Sequence, residues 1–233
     1  MNNVIVSPSL ICADLNQANS QIEELLQLGI DMIHVDWIDG KFSPDIPMTL
    51  EQFDRVARQA EFPMDFHIMA MDNETYIEKA LQYPAKQICF QCESSIHTDR
   101  MLNLIRKNGV KCGVALAPAT PLHVLEYAAE ICDFVLLMLI NPGYASAGGE
   151  RMVPYAYRKI ADCREFLDKY NRNIPIEVDG RVSIEATKDL VAAGADILVS
   201  GSTGMFTKNA SFTENYAKIR EAIASGLAVR KPL

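Results

Sequence analysis

Pro175-Ile176-Glu177-Val178-Asp179-Gly180-Arg181-Val182-Ser183, the segment Ile184–Ala193, and Gly194-Ala195-Asp196-Ile197-Leu198-Val199-Ser200-Gly201 together decide the fold. Pro175–Asp179 is a short apolar run closed by a glycine, which reads as a strand. Ile184–Ala193 reads as a helix, with Ser183 as the capping hydroxyl at its start and Gly194 as the stop at its end. Ile197–Ser200 is again a continuous apolar run. Strand, helix and strand joined by short turns form a βαβ unit, which implies parallel strands and a right-handed crossover.

The same alternation extends outward to both ends of the chain. Strands are expected at Val4–Leu10, Met32–Asp36, Pro63–Met69, Gln87–Gln91, Lys111–Leu116, Phe134–Leu139, Pro175–Asp179 and Ile197–Ser200. Helices are expected at Asn16–Leu28, Leu50–Ala60, Asn73–Gln82, Thr98–Lys107, Leu122–Glu130, Pro154–Tyr170, Ile184–Ala193 and Phe212–Ala224. In the first helix Ile22, Leu25, Leu26 and Leu28 fall on one face. Gly29 and Gly109 mark further helix ends, and Asn73 and Thr98 are further capping candidates. The strands are almost continuously apolar, as in a sheet covered on both faces. No Gly/Ser/Pro-rich linker divides residues 1–233, so one domain is expected. Eight βα units of about 29 residues each match a (β/α)₈ TIM barrel. A doubly wound open sheet is the alternative with the same alternation.

Composition narrows the function classes. The chain is 49% hydrophobic and 22% charged, an ordinary globular balance. With 22 basic and 30 acidic residues the net charge is −8, and no Lys/Arg cluster exists to hold nucleic acid or an anionic membrane. A small phosphate ligand stays open, because backbone N–H groups can hold one. The longest apolar run, Ile131–Ile140, is broken by Asp133 and falls far short of the ~20 residues of a membrane span. Met1-Asn2-Asn3 offers no basic leader, so a cytoplasmic protein is expected. The six cysteines are scattered, as buried thiols in a reducing compartment would be. Cys89 and Cys92 form a lone C-x-x-C in a strand-like stretch, where the two side chains point to opposite faces. That argues against a metal or redox pair.

In a barrel the chemistry sits where strands end, and polar residues gather there. The second strand ends His34-Val35-Asp36-Trp37-Ile38-Asp39-Gly40, the third Asp65-Phe66-His67-Ile68-Met69 and the seventh Ile176-Glu177-Val178-Asp179-Gly180. Residues two apart share a strand face, so His34 and Asp36 point the same way and can converge with His67 and Asp179. Two imidazoles and two carboxylates suit a borderline divalent cation. The alternative is four unrelated polar residues that cap strands. Glu177 shares the face of Asp179 one layer lower, so it must find a buried partner. Asp39 reads as a turn residue before Gly40.

Ser7-Pro8-Ser9-Leu10, His34-Val35-Asp36 with Asp39-Gly40 and Phe42, Asp65-Phe66-His67-Ile68-Met69, Asn141-Pro142-Gly143-Tyr144, Ile176-Glu177-Val178-Asp179-Gly180 and Gly194-Ala195-Asp196 together resemble the ribulose-phosphate 3-epimerase family, in the family's order, from about Ser7 to Phe206. The resemblance implies a (β/α)₈ barrel that inverts C3 of a ketose phosphate. It implies one divalent ion (Zn, Mn, Fe or Co) held by His34, Asp36, His67 and Asp179. Asp36 and Asp179 would also be the two acid/base groups, coming from opposite sides of the ring and acting through a metal-stabilised enediolate. Ser9, His67, Met69 and Met138 would contact substrate, although a turn hydroxyl and core filling are the plainer roles of the serine and the methionines. Gly180, Arg181, Gly201, Ser202 and Thr203 would hold the phosphate beside a short helix N-terminus, with Gly143 and Tyr144 closing over it. Ordinary Gly/Ser turns are the plainer reading.

Several positions depart from the family pattern. Ile38 stands for the usual Met, Asp45 for Asn, Arg181 for the second glycine of a Gly-Gly pair, and Gln91 for a fourth-strand His. Arg181 is expected to reach either the phosphate or solvent. The loop 144–150 is longer by about three residues. These positions ring the substrate, so they bear on its identity more than on the reaction. The five-carbon pair ribulose 5-phosphate/xylulose 5-phosphate is the first expectation. Allulose 6-phosphate/fructose 6-phosphate is the alternative, and Ser202-Thr203-Gly204-Met205-Phe206 leans toward that branch. A Schiff-base aldolase is disfavoured, since no strand ends in Lys and Lys41 lies beyond the turn at Gly40. A non-catalytic barrel that binds a sugar phosphate stays open. The family further implies a homo-oligomer, a dimer or hexamer.

Overall fold

The computed structural model describes residues 4–145, 149–170 and 173–230. Eight strands lie in one sheet: β1 (Ile5–Pro8), β2 (Ile33–Ile38), β3 (Met64–Met69), β4 (Ala85–Gln91), β5 (Lys111–Leu116), β6 (Phe134–Met138), β7 (Ile176–Asp179) and β8 (Ile197–Ser200). The order around the sheet is β1-β8-β7-β6-β5-β4-β3-β2, and every pair is parallel. A parallel bridge between Ser9 and His34 joins β1 to β2 and closes the seam. The sheet is therefore a barrel, and the open doubly wound alternative is excluded.

Among the described residues seven α-helices cover it: α1 (Ala18–Gln27), α2 (Leu50–Ala57), α3 (Asn73–Ala80), α4 (Thr98–Lys107), α5 (Ala156–Asp168), α6 (Ile184–Ala193) and α7 (Phe212–Val229). The helix expected at Leu122–Glu130 is instead two 3₁₀ turns, Leu122–Leu125 and Ala128–Glu130. Ser183 caps α6 as expected, accepting from the Ala186 N–H. The other two caps fall one residue earlier than expected, on Asp72 and His97, and His97 makes no side-chain cap bond. Strand β1 is shorter than expected because Leu10–Cys12 turns away as a 3₁₀ turn. Among the described residues no helix is long and apolar enough to cross a membrane.

Strand alternation sorts β2 and β3 into two faces. Val35, Trp37 and Phe66 point outward, where Trp37 packs on Phe66 (4.7 Å between ring centres), Phe53 (5.2 Å) and Tyr83 (6.0 Å) under α2 and α3. The inward residues divide the barrel interior in two. On β4–β6 they are uncharged: Gln87 and Gln91 of β4 meet the polar half, and Cys89, Ala115, Phe134, Leu136 and Met138 form one apolar cluster with Ile140. Gly113 makes room there, since a Cβ at that position would stand 2.5 Å from the Phe134 ring. On β1–β3 and β7 the inward residues are Ser7, His34, Asp36, Asp65, His67, Glu177 and Asp179. No disulfide joins the six cysteines; Cys89 lies inside the barrel and Cys92 on a 3₁₀ turn beyond β4, so the C-x-x-C is no chelating pair.

Candidate active site

His34, Asp36, His67 and Asp179 meet at the C-terminal mouth of the barrel. Each offers a ligand atom within 4.8 Å of the others. His67 Nδ1 is 3.2 Å from Asp36 Oδ1 and 3.9 Å from Asp179 Oδ2. His34 Nε2 lies 3.3 Å from the same Asp36 oxygen but outside hydrogen-bond geometry, so it is buried without a partner. A bare imidazole nitrogen facing two carboxylates, beside a second imidazole, fits a divalent cation with mixed nitrogen and oxygen preference. Ser9 Oγ donates to the other Asp36 oxygen at 3.3 Å.

A layer of buried polar groups below holds this cluster in place. In register, His34 is opposite Asp65, and Asp65 opposite Gln87. His34 Nδ1 meets Asp65 Oδ2 at 2.8 Å, which leaves Nε2 for the cluster above. Asp65 also accepts from Ser7 Oγ (2.9 Å) and Gln87 Nε2 (2.9 Å). The partner that Glu177 requires is Gln87, whose Nε2 also donates to Glu177 Oε2 at 2.9 Å. This arrangement matches the second support that metal-binding histidines generally carry on their far nitrogen.

The electrostatics divide the carboxyl groups. Burial alone would raise Asp36, but His34 and His67 outweigh it and hold the carboxyl well below its usual range. Asp179 goes the other way: burial and the charge of Asp36 push it up to about 6. Burial and the charge of Asp65 raise Glu177 well above the usual carboxyl range. For His34, burial disfavours the charged ring, yet Asp36 and Asp65 prevail and raise its pKa well above the ordinary imidazole value.

The cluster opens on a cavity of about 310 Å³, a size suited to a small ligand. Ser9, Met69, Met138, Gly143, Gly180, Arg181, Gly201, Ser202 and Thr203 all line it, as do Ile38 and Asp45. Tyr144 does not: it is 41% exposed on the rim, between Gly143 and Ala145. The chain beyond β8 forms a turn, with Gly204 N–H and Phe206 N–H on the Gly201 carbonyl, and the short helix expected beside the phosphate loops is absent among the described residues. Arg181 lines the cavity and spends its guanidinium on loop carbonyls. Its Nε donates to the Glu150 carbonyl (3.0 Å) and a terminal nitrogen to the Ala145 carbonyl (2.9 Å). Ser146, Ala147 and Gly148 of the same loop lie outside the described residues.

Residues 5–206 match the model of the ribulose-phosphate 3 epimerase family. The chain belongs to the ribulose-phosphate 3-epimerase family. Membership settles the chemistry at its coarse level: the chain is an isomerase that epimerises a sugar phosphate. The ribulose-phosphate 3-epimerase of Buchnera aphidicola subsp. Acyrthosiphon pisum is 34% identical over 226 residues, 96% of each chain. That of Escherichia coli K12 is 33% identical over 232 residues, 98% of each. The chloroplastic ribulose-5-phosphate-3-epimerase of Arabidopsis thaliana is 35% identical over 203 residues, 86% of this chain and 71% of that one. Among solved structures, orotidine 5'-phosphate decarboxylase from Pyrococcus horikoshii superposes with a TM-score of 0.66 at 16% identity, over 94% of this chain and 99% of that one. 3-Hexulose-6-phosphate synthase from Salmonella typhimurium gives 0.65 at 15% identity, over 95% and 99%. At those identities the likeness shows the barrel alone.

Sequence reasoning missed several residues of this epimerase-family site. Asp65 stands two before His67 and so shares its face, the same i, i+2 signal that paired His34 with Asp36. Gln87 lies two before Cys89 on an inward face, but nothing local marks it as the partner of two carboxyl groups. Cys12 lines the cavity from the 3₁₀ turn after β1, with its thiol pushed up to about 11 by burial. Asp39 is the turn residue expected, accepting from the N–H groups of Lys41, Phe42 and Met71.

Proposed function

We propose that this chain interconverts the C3 epimers of a ketose phosphate, ribulose 5-phosphate and xylulose 5-phosphate, by two-base proton transfer between Asp36 and Asp179. The convergence of His34, Asp36, His67 and Asp179 on one point beside the cavity carries the reading. Asp36 and Asp179 come from β2 and β7, three places apart around the eight-stranded ring rather than diametrically opposed. A substrate carbon held between them presents one face to each.

Inversion at C3 requires that the C3 proton leave toward one carboxylate and that another carboxyl return a proton to the opposite face. The C2 ketone makes that proton removable. Asp36, held ionised by its two histidines, is prepared to accept; Asp179, raised to about 6, is prepared to donate. Two carboxyl groups driven apart by their surroundings are a general arrangement for paired acid and base roles. The reverse reaction exchanges the roles. Ser9 orients Asp36 through its hydrogen bond. Gly180, Gly201, Ser202 and Thr203 bring close backbone and hydroxyl donors to the phosphate end of the cavity. His34 through Nε2, His67 through Nδ1 and one oxygen each of Asp36 and Asp179 would hold a divalent ion. When bound, that ion supplies Lewis-acid stabilisation of negative charge on the sugar oxygens.

The five-carbon substrate is supported by the curated relatives, all named for ribulose phosphate. The test is incubation with ribulose 5-phosphate in deuterated water. Deuterium at C3 together with xylulose 5-phosphate supports the reading. Exchange only on six-carbon ketose phosphates would reassign the substrate, and binding without exchange would make this a non-catalytic barrel.

A further inference from the structure

We infer that Gln91 is a positioning residue whose amide turns over to accept from His67 Nε2–H when Nδ1 faces a cation in the cluster; the inference rests on the metal-site reading above. Gln91 ends β4 and is fully buried. Its Nε2 lies 2.9 Å from His67 Nε2, and its Oε1 is buried with no hydrogen-bond partner. A neutral imidazole has one N–H and one lone pair, so whatever Gln91 presents on one side of the ring dictates what the ring presents on the other.

With the amide N–H toward the ring, His67 Nε2 accepts. Nδ1 must then carry the proton and donate to Asp36 Oδ1, 3.2 Å away. That state satisfies the ring without a cation and leaves Gln91 Oε1 orphaned. A cation among the four residues needs the Nδ1 lone pair instead, which moves the proton to Nε2. An amide N–H opposed to a ring N–H at 2.9 Å is repulsive, so the amide turns over and offers Oε1. The two imidazoles are thus held differently. Asp65 can only accept from His34 once ionised, which fixes that ring, whereas the Gln91 amide serves either form of His67. His67 is the ligand that changes its hydrogen bonding when the site fills, and Gln91 turns with it.

The test measures metal binding itself. Metal-free wild-type, Gln91→Leu and Gln91→Glu proteins, with folding checked by circular dichroism, are titrated with Co²⁺ or Zn²⁺ against a chromophoric chelator. Loss of a hydrogen-bond partner behind a ligating histidine typically costs about 10–100-fold in affinity. That weakening is expected for Gln91→Leu, with near wild-type affinity in Gln91→Glu, which keeps an acceptor. In parallel, ¹⁵N-histidine NMR of the wild type should place the His67 proton on Nδ1 without metal and on Nε2 with Zn²⁺. A folded Gln91→Leu variant that binds within about twofold of wild type overturns the inference while leaving the metal site standing; a proton that stays on Nδ1 in the loaded protein overturns it and removes His67 from the ligand set. A wild type that takes up no cation overturns the metal site, and this inference with it.

Discussion

Arg181 is the one non-glycine residue with a left-handed backbone among those described, at φ 57°. That conformation costs a side-chain-bearing residue about 2 kcal/mol. Against it stand the two guanidinium bonds to the carbonyls of Glu150 and Ala145, at 3.0 and 2.9 Å, which tie the loop after β6 to the loop after β7. Hydrogen bonds from a charged group are worth about 1.5–3 kcal/mol each when buried. Arg181 is only partly buried, so screening reduces them to about 1 each. Arg181→Ala loses both bonds and keeps the strain, a net loss of about 2 kcal/mol. Arg181→Gly loses the bonds and relieves the strain. Glycine's extra chain entropy takes back about 0.5–1 of that relief, so the net loss is about 1. The expected order is wild type, then Gly, then Ala, with steps of about 1 kcal/mol, or about 2–4 °C each in thermal unfolding of a chain this size. If the tie also holds the loop over the cavity, both variants raise KM for the sugar phosphate about fivefold per kcal/mol, with kcat little changed. An Ala variant as stable as the wild type would show that the bonds contribute nothing. Equal melting of Gly and Ala would show that the strain is no greater than glycine's entropy cost of about 0.5–1 kcal/mol.

Asp36→Asn and Asp179→Asn should each remain folded and lose about 10²–10⁴-fold in deuterium exchange at C3; near-normal exchange in either refutes the two-base assignment. Exhaustive chelation should abolish exchange, and restoring Zn²⁺ or Co²⁺ at about 100 times its Kd should stabilise the fold by about 2.7 kcal/mol, read as a rise in Tm. Burial raises the Asp39 carboxyl, but three backbone N–H groups outweigh it and hold its pKa below the usual value. Its contribution is present above the unfolded pKa near 4 and is lost as pH falls through the lower folded value. Asp39→Ala should therefore cost about 1–2 kcal/mol at neutral pH and flatten the acid limb of a Tm-against-pH curve; parallel acid limbs would contradict this. Gly113→Ala drives a methyl into the Phe134 ring and should cost about 1–3 kcal/mol by denaturant unfolding.

The barrel was legible because two periods alternate cleanly in the sequence. Strands such as Ile197–Ser200 and helices such as Ile184–Ala193 need no tertiary information to be placed. The fifth crossover was not legible: Leu122–Glu130 has helical spacing of its apolar residues, yet it winds as two 3₁₀ turns. The four clustered residues were visible from strand ends and i, i+2 spacing. What sequence could not supply is contact between distant strands. Gln87 joins two carboxyl groups across the barrel, one of them 90 positions away. The same limit concealed the destination of Arg181, whose partners lie 31 and 36 positions away.

The lower polar layer explains why the upper one can exist. A carboxylate or imidazole set alone in a barrel interior would shed its charge or destabilise the fold. Here each charged group has an opposed or hydrogen-bonded neighbour supplied by strand register: Asp65 beside His34, His67 beside Asp36. Glu177 accepts from Gln87 Nε2, and burial and the charge of Asp65 raise its pKa well above the usual range. The neutral filling of β4–β6 keeps the opposite wall free of competing charge. The polar half of the barrel is therefore one coupled structure from Ser7 to Asp179. His34 belongs to both layers, with one nitrogen on Asp65 below and the other bare toward Asp36 above.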